Sequence, residues 1–313
     1  MDNLKEQIKF TLKETDFNLG KKYTGKVRDT YVGEDKVFLI TTDRISAFDR
    51  VLSTIPFKGQ VLNQISAFWF EKTKDIVDNH VIEIPDPNVC IGKKLKILPI
   101  EVVMRGYLTG SAWRDYEKGN PVSGITLPEG MKKDQKFPKP LFTPSTKEEF
   151  GKHDLPISKE EIIEKGILTK ELVNEVEEIA QKLFERGQQL SLKNGMILVD
   201  TKYEFGLDDK GKLILADELH TPDSSRYWYA DTYEERFQKG EDQRMLDKEY
   251  LRQWLIKEKN FMGDGEIPDI PDEIRVNVAK KYIKIYEEIT GMKFEAVIGD
   301  VRQRIEGNLQ ELP

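Results

Sequence analysis

The chain has one cysteine, Cys90, in 313 residues. An internal disulfide is therefore excluded, and a reducing compartment is expected. With no partner at metal spacing, Cys90 reads as a small buried hydrophobe. Three histidines, His80, His153 and His220, lie scattered along the chain. None forms an i, i+4 pair or joins the cysteine at zinc spacing, so any metal falls to the carboxylates and is magnesium or manganese. No apolar run approaches the roughly 18 residues of a membrane helix. The N-terminal stretch MDNLKEQIKFTLKETDF lacks the apolar region of a secretory signal. It reads as a short amphipathic helix with Leu4, Ile8 and Leu12 on one stripe, and a cytoplasmic location is expected. A basic excess is also missing, since the net charge is -7. That argues against nucleic acid or a membrane surface as partner, while local Lys and Arg clusters can still hold a small phosphorylated ligand. No repeat, low-complexity tract, Walker loop or G-x-G-x-x-G fingerprint appears. No Ser/His/Asp or Cys/His nucleophile is visible either.

What is present describes a globular protein of one large domain or two lobes, 38% hydrophobic and 34% charged. The most informative stretch runs from Met196 to Trp228. Two apolar runs flank Asp208-Asp209-Lys210-Gly211, which predicts a β-hairpin. On the first strand Val199, Thr201, Tyr203 and Phe205 share one face, and Asp200, Lys202 and Glu204 the other. The second strand, Leu213 to Leu219, carries Asp217 and Glu218. With an even number of turn residues, Lys202 would sit opposite Asp217, with Glu204 diagonal to it. Two converging carboxylates beside a lysine suit a Mg²⁺ ion that keeps waters and holds substrate phosphates. An odd turn would separate the two acids. From these strands alone, a metal site and an exposed hairpin with a cross-strand ion pair both stay open.

The rest of the chain frames this hairpin. Lys36–Thr42 is an apolar strand behind a turn at Gly33-Glu34-Asp35. Gly25 stands near Lys21, Lys22, Lys26 and Arg28, which suits either a phosphate cradle or a lysine-guarded strand edge. The loop Thr42–Asp49 mixes Asp, Arg and Ser. It is open to a functional reading and equally to a turn capped by Asp43. After Lys58-Gly59, Leu62, Ile65, Phe68 and Trp69 recur at helical spacing. Val81–Ile84 and Lys94–Ile100 are short strands, and Pro99 marks an edge or bend. Leu98–Arg105 reads as a link between two lobes. Thr109-Gly110-Ser111 precedes a helix at Ala112–Tyr116, so its backbone amides could hold an anion or Ser111 could act as an N-cap. The long segment Glu117–Ser158 is read as ordered around Leu141 and Phe142. Ser158–Glu161 is a capping box. Thr169–Leu192 is an amphipathic helix with Leu172, Val176, Ile179, Leu183 and Leu190 inward, stopped by Asn194-Gly195. Thr221–Arg226 is a turn with one arginine fork. Helices are expected at 247–260 and 272–290 (Ile274, Val278, Ile285 and Ile289 inward), with a last helix capped by Asp300.

Read together, these segments resemble the SAICAR synthetase (phosphoribosylaminoimidazole-succinocarboxamide synthase) family almost end to end. The resemblance rests on GKVRDTY at 25–31, TDRISAFD at 42–49, KGQVLNQIS at 58–66, ILPIEVVMRGYLTGS at 97–111, LFTPSTK at 141–147, LVDTKYEFG at 198–206 and ADELHTPDSSRYW at 216–228. The GSAW and TPSTK forms are similar to the longer members. Met245 departs from the family's usual serine.

The resemblance implies an α+β, two-lobed fold similar to protein kinases. A β-rich N-terminal lobe at 1–99 and a larger mixed lobe at 100–313 would hold ATP in a cleft. It implies an amide-forming ligase of purine synthesis that joins L-aspartate to carboxyaminoimidazole ribotide (CAIR), with ATP as co-substrate and Mg²⁺. An acyl phosphate and a direct displacement both satisfy that chemistry. Carried over by motif, Lys202, Glu204 and Asp217 would be catalytic, and Glu204 and Asp217 the Mg²⁺ ligands. Gly25, Lys26 and Arg28 would meet the ATP phosphates. Glu101, Val102 and Met104 would run beside adenine through backbone groups. Arg105, Ser111 and Arg226 would clamp the ribotide phosphate, with Asp200 and Asp223 as further ribotide contacts. Asp43, Arg44, Ser46 and Lys147 would line the aspartate end. The partners are then small molecules, with no nucleic acid and no membrane, and a monomer is favoured. A small-molecule kinase on a related scaffold and a non-catalytic nucleotide-binding module are the alternatives. The kinase would need no aspartate, and mere binding would not require Lys202, Glu204 and Asp217 together.

Overall fold

The structure is a computed structural model that describes residues 2–48, 50–147, 155–245 and 249–311. In chain order its strands are β1 (Lys21–Thr24), β2 (Arg28–Val32), β3 (Lys36–Thr41), β4 (Arg44–Ala47), β5 (Arg50–Thr54), β6 (Val81–Asp86), β7 (Val89–Lys93), β8 (Lys96–Ile97), β9 (Ile100–Tyr107), β10 (Lys136–Phe142), β11 (Ser145–Thr146), β12 (Met196–Leu207), β13 (Leu213–Ala216) and β14 (Ser225–Tyr229). The helices are α1 (Asp2–Gln7), α2 (Lys58–Thr73), α3 (Gly110–Glu117), α4 (Lys159–Glu164), α5 (Lys170–Lys193), α6 (Ala230–Lys239), α7 (Glu249–Lys259), α8 (Asp272–Thr290) and α9 (Val301–Gln310). This is the expected α+β class. Among the described residues no helix is long and apolar enough to cross a membrane.

The chain divides into two compact units, and the division does not follow chain order. One unit holds residues 1–68, 80–94 and 247–313, and the other holds 69–79 and 95–246. A split at 99/100 was expected. The C-terminal helices instead pack with the N-terminal strands, because α9 buries Val301 and Ile305 against Tyr31, Ile40, Val89 and Ile91. That unit is built on a five-stranded antiparallel sheet, ordered β1-β2-β3-β7-β6. Tyr31, Ile40 and Val89 supply its inner face, and Cys90 is buried as expected.

The second unit is organised around β12. One edge of β12 pairs with β14 and then β13, and the other with β9 and then β8. Strand β9 pairs in turn with β10 and β11. The segment Leu98–Arg105, expected as a link between lobes, is therefore largely a strand inside this sheet. Its pairing partner lies about a hundred residues further on, a contact that local periodicity does not reveal. Helix α5 covers the buried face of the sheet. Val173, Val176, Ala180, Leu183, Phe184 and Gly187 point inward, while Leu172, Ile179 and Leu190 are half-buried, so the inner stripe is rotated from the expected one. Gly187 allows the close approach, since a Cβ there would lie 2.5 Å from the His220 ring. The Ser158 capping box and the Asp300 cap form as read. Strand β14 and helix α6 were not foreseen. Of the expected segments, His153, Asp49 and 246–248 lie outside the described residues.

Candidate active site

Alternation along β12 separates its side chains as the sequence predicts. Val199, Thr201, Tyr203 and Phe205 are buried, leaving Asp200, Lys202 and Glu204 on the other face. Cross-strand pairing then brings charges from distant segments onto that face. Asp200 is the register partner of Arg105 on β9 and of Arg226 on β14. Its Oδ2 lies 3.6 Å from Arg105 and 3.7 Å from Arg226. Among the described residues this buried oxygen has no hydrogen-bond partner, so it is an acceptor flanked by two guanidinium groups. Arg105 is fixed by Thr143, whose hydroxyl oxygen accepts from Nε at 3.0 Å, and by Ser111, whose Oγ accepts from NH2 at 3.0 Å. Arg226 donates to the Thr109 hydroxyl at 3.2 Å and packs over Gly110, which has φ 60°. Ser111 therefore serves Arg105 rather than capping α3, whose N-cap is Thr109. Arg105, Ser111, Asp200 and Arg226 are brought together as expected. Asp223 sits half-buried in the turn that leads to Arg226.

Further along the same face, Lys202 Nζ donates to Glu101 Oε1 at 2.5 Å and to Glu204 Oε1 at 3.5 Å. Lys147 is ion-paired to the other oxygen of Glu204. Burial disfavours the Lys202 ammonium, but the carboxylates of Glu204, Glu101 and Asp217 outweigh it and hold the pKa above the ordinary lysine value. Lys202 is thus a fixed positive charge at neutral pH, not a base. The sequence alone does not mark the Glu101 side chain as a member of this cluster, because residues 98–105 suit a link as well as a strand. Read as a strand, 101, 103 and 105 share a face. Val102 and Met104 are fully buried on the opposite face, in a strand paired on both sides, so a free backbone edge for adenine is not what this unit offers at those residues.

The hairpin register is the odd one. Leu207 pairs with Leu213 and Glu204 with Ala216, which leaves 208–212 as the connection. Simple alternation would send Asp217 to the far face. Asp217 instead adopts φ 64°, the strand ends at Ala216, and the carboxylate's charge acts on Lys202. Behind this bend His220 is completely buried. Its Nε2 meets the Tyr203 hydroxyl at 2.6 Å, its carbonyl accepts from the Tyr227 hydroxyl at 2.7 Å, and its ring stands edge-on to Trp69 at 4.8 Å. Burial pushes the His220 pKa down to about 3, so the ring is neutral. Among the described residues no group of three or more His, Cys, Asp or Glu side chains converges as a metal site would.

In the other unit, Gly25 and Arg28 close the β1–β2 hairpin through a 2.7 Å bond from the Gly25 amide to the Arg28 carbonyl, with Lys26 exposed at its tip. Asp43 is buried, and its carboxylate accepts from the Leu12 amide at 2.8 Å and the Gly59 amide at 2.9 Å. Burial pushes its pKa up to about 6 against those hydrogen bonds. Arg44 is buried too and hydrogen-bonded within its own unit, and Ser46 is half-buried on β4. Asp43 and Arg44 are thus engaged by the fold itself rather than presented to a small amino acid.

The second unit therefore carries two arginines converging on Asp200 and a lysine–carboxylate cluster on one strand face. This is the equipment of an enzyme that works on charged, phosphorylated small molecules. The model of the SAICAR synthetase family matches residues 21–266. A phosphoribosylaminoimidazole-succinocarboxamide synthase of Legionella pneumophila (strain Paris) is 49% identical over 308 residues, 96% of this chain and 98% of its own length. The solved SAICAR synthase of Saccharomyces cerevisiae complexed with SAICAR is 35% identical, with a TM-score of 0.82 over 91% of this chain and 100% of its own. A SAICAR synthetase in complex with ADP is 29% identical, with a TM-score of 0.66 over 88% of this chain and 100% of its own. The chain belongs to the SAICAR synthetase family, whose members are ligases of de novo purine biosynthesis.

Proposed function

We propose that this chain joins L-aspartate to the carboxylate of CAIR with cleavage of ATP to ADP and phosphate. The observation that carries the assignment is the single face of β12 and its neighbours. The Arg105–Asp200–Arg226 set lies two residues from Lys202 and four from Glu204, so at about 3.4 Å per residue the clamp and the cluster are spaced for the two ends of one extended ribotide. The arginines would take its phosphate through bidentate forks. Oδ2 of Asp200, which lacks a hydrogen-bond partner among the described residues, would accept from a ribose hydroxyl.

A carboxylate resists nucleophiles because attack adds charge to an anion. Transfer of the ATP γ-phosphoryl group to a carboxylate oxygen gives an acyl phosphate and ADP. The aspartate amine then attacks the carbonyl carbon, loses its proton and expels phosphate. Lys202 holds its charge beside the oxygens that become negative, so its contribution is charge neutralisation and positioning. Magnesium fits the donors present. Glu204 and Asp217 are hard carboxylates, and Mg²⁺ needs only one or two of these beside waters and phosphates, so no larger acidic group is required. When bound it would supply charge to the phosphoryl oxygens. Lys202 offsets the charge of both acids from the protein side, and Lys147 that of Glu204. The reaction is assigned to the cytoplasm.

The test is phosphate release measured with ATP, Mg²⁺, L-aspartate and the ribotide, each omitted in turn. Release is expected only with all four. ATP turnover indifferent to the ribotide would sink the proposal, and a stable phosphorylated ribotide formed without aspartate would replace it with a kinase.

A further inference from the structure

Arg44 heads β4 and is only 5% exposed. Its NH1 donates to the Lys13 carbonyl at 2.6 Å, its Nε to the Lys26 carbonyl at 3.3 Å, and its NH2 to the Gly25 carbonyl at 2.9 Å. NH2 also meets Asp29 Oδ1 at 2.7 Å. Asp29 is itself buried and aligned by the Thr15 amide at 3.0 Å and hydroxyl at 2.8 Å. Its pKa is held below the ordinary carboxylate value because, although burial opposes its charge, the hydrogen bonds from Arg44 and Thr15 outweigh that. The next carbonyl of the turn, Val27, accepts from the Thr42 amide at 2.9 Å and hydroxyl at 2.5 Å.

Three successive carbonyls of the β1–β2 turn are thus drawn to one side by the 42–44 segment. No described peptide is cis, and across a trans peptide the carbonyl and the following N–H point in opposite directions. The N–H groups of Lys26, Val27 and Arg28 therefore face away from Arg44 and Thr42. Successive N–H groups on one side of a turn make a concavity suited to an anion. We infer that Arg44 is a positioning residue which holds the 25–28 turn in the shape that receives a nucleoside polyphosphate, and that it does not touch the aspartate substrate. The inference rests on the reading that this turn meets ATP. It separates Arg44 from the role implied by the family resemblance.

The experiment measures ADP binding to the full chain by calorimetry, together with the three substrate KM values. Arg44→Lys keeps the charge and loses the fork, so ADP binding and the KM for ATP should both weaken about tenfold, the range of one or two hydrogen bonds to a charged group. The KM values for aspartate and ribotide should not move, and kcat at saturating ATP should be nearly retained. If Arg44→Lys does not fold, Thr42→Val probes the same brace at Val27. It should weaken ADP about threefold, the loss of one neutral hydrogen bond, with Thr42→Ser restoring it. An unchanged ADP affinity in the variant that folds, or a rise in the aspartate KM alone, overturns the inference. Failure of the unmutated chain to bind ADP would instead overturn the ATP reading on which it stands.

Discussion

Gly110 opens the short helix α3 and Gly119 follows its end, and together they offer a matched pair of perturbations. Both have positive φ, 60° and 75°. A Cβ on Gly110 would lie 2.5 Å from one terminal nitrogen of Arg226 and 2.8 Å from the other, whereas a Cβ on Gly119 meets no atom of the described residues within 4 Å. Alanine at either position bears the left-handed backbone penalty, about 1 kcal/mol, which for a chain of this size lowers Tm by about 2–4 °C. Only Gly110→Ala must also displace the guanidinium, by about 1 Å if ordinary contact is to be restored. A hydrogen bond to a charged group contributes about 1.5–3 kcal/mol. Losing one such bond to the ribotide phosphate, the role proposed for Arg226, should raise the ribotide KM about 10- to 100-fold. Steady-state kinetics on the two variants, with thermal melts as the control, separate the terms. Gly119→Ala should lose stability with an unaltered ribotide KM. Gly110→Ala should lose similar stability and bind the ribotide worse, with the ATP and aspartate KM values unchanged. If the two variants share one ribotide KM, Arg226 does not hold the phosphate from its present position.

Glu204→Gln keeps the volume and removes the charge between Lys147 and Lys202. Turnover should fall at least 100-fold with the circular dichroism spectrum preserved, and near-normal activity at ordinary Mg²⁺ would refute the ligand role. Arg226→Lys should raise the ribotide KM about tenfold, since a point charge replaces a fork; an effect on the aspartate KM alone would reassign the residue. His220 titrates near 6.5 when unfolded and near 3 when folded, so the unfolded chain binds the extra proton between those values. Its contribution to stability is therefore complete above about pH 6.5 and declines as pH falls toward 3, by at most about 1.4 kcal/mol per unit. Chemical denaturation of His220→Asn should show a shallower loss between pH 6.5 and 4 than the parent chain, and parallel curves would count against a neutral buried ring.

Much of the second unit could be read from local pattern. The alternation on β12, the cap at Ser158 and the stop at Asn194-Gly195, like the Asp300 cap in the first unit, all depend on residues within a few positions of each other. What escaped depends on long-range pairing or on burial. Residues 100–107 carry an apolar run that suits a strand or a buried connection equally, and only pairing with β12 decides. Without that strand, nothing in the sequence brings the Glu101 side chain to the cluster around Lys202. Asp43 and Arg44 carry chemistry that a substrate could use, but their donors and acceptors satisfy the backbone of their own unit. Sequence alone does not tell a polar side chain that binds a ligand from one that supports a loop. The rotated stripe of α5 has a similar origin. Its inner face follows the approach at Gly187 and His220 rather than the positions of its leucines.

The carboxylate at Asp217 shows how the two kinds of information combine. By register alone, an odd connection puts Glu204 and Asp217 on opposite faces. The connection is odd, and the two acids still act on one lysine. The reason is that face alternation holds only while the strand continues, and β13 stops at Ala216. From there the backbone is left-handed at Asp217, φ 64°, and again at His220, φ 49°. The second bend is fixed by two buried tyrosines, one on the His220 ring and one on its carbonyl. A buried neutral histidine, unremarkable in the sequence, thus anchors the segment that carries Asp217 at one end and leads to Arg226 at the other. The geometry of the candidate metal ligand is set by the loop's anchor in the core rather than by the hairpin that precedes it.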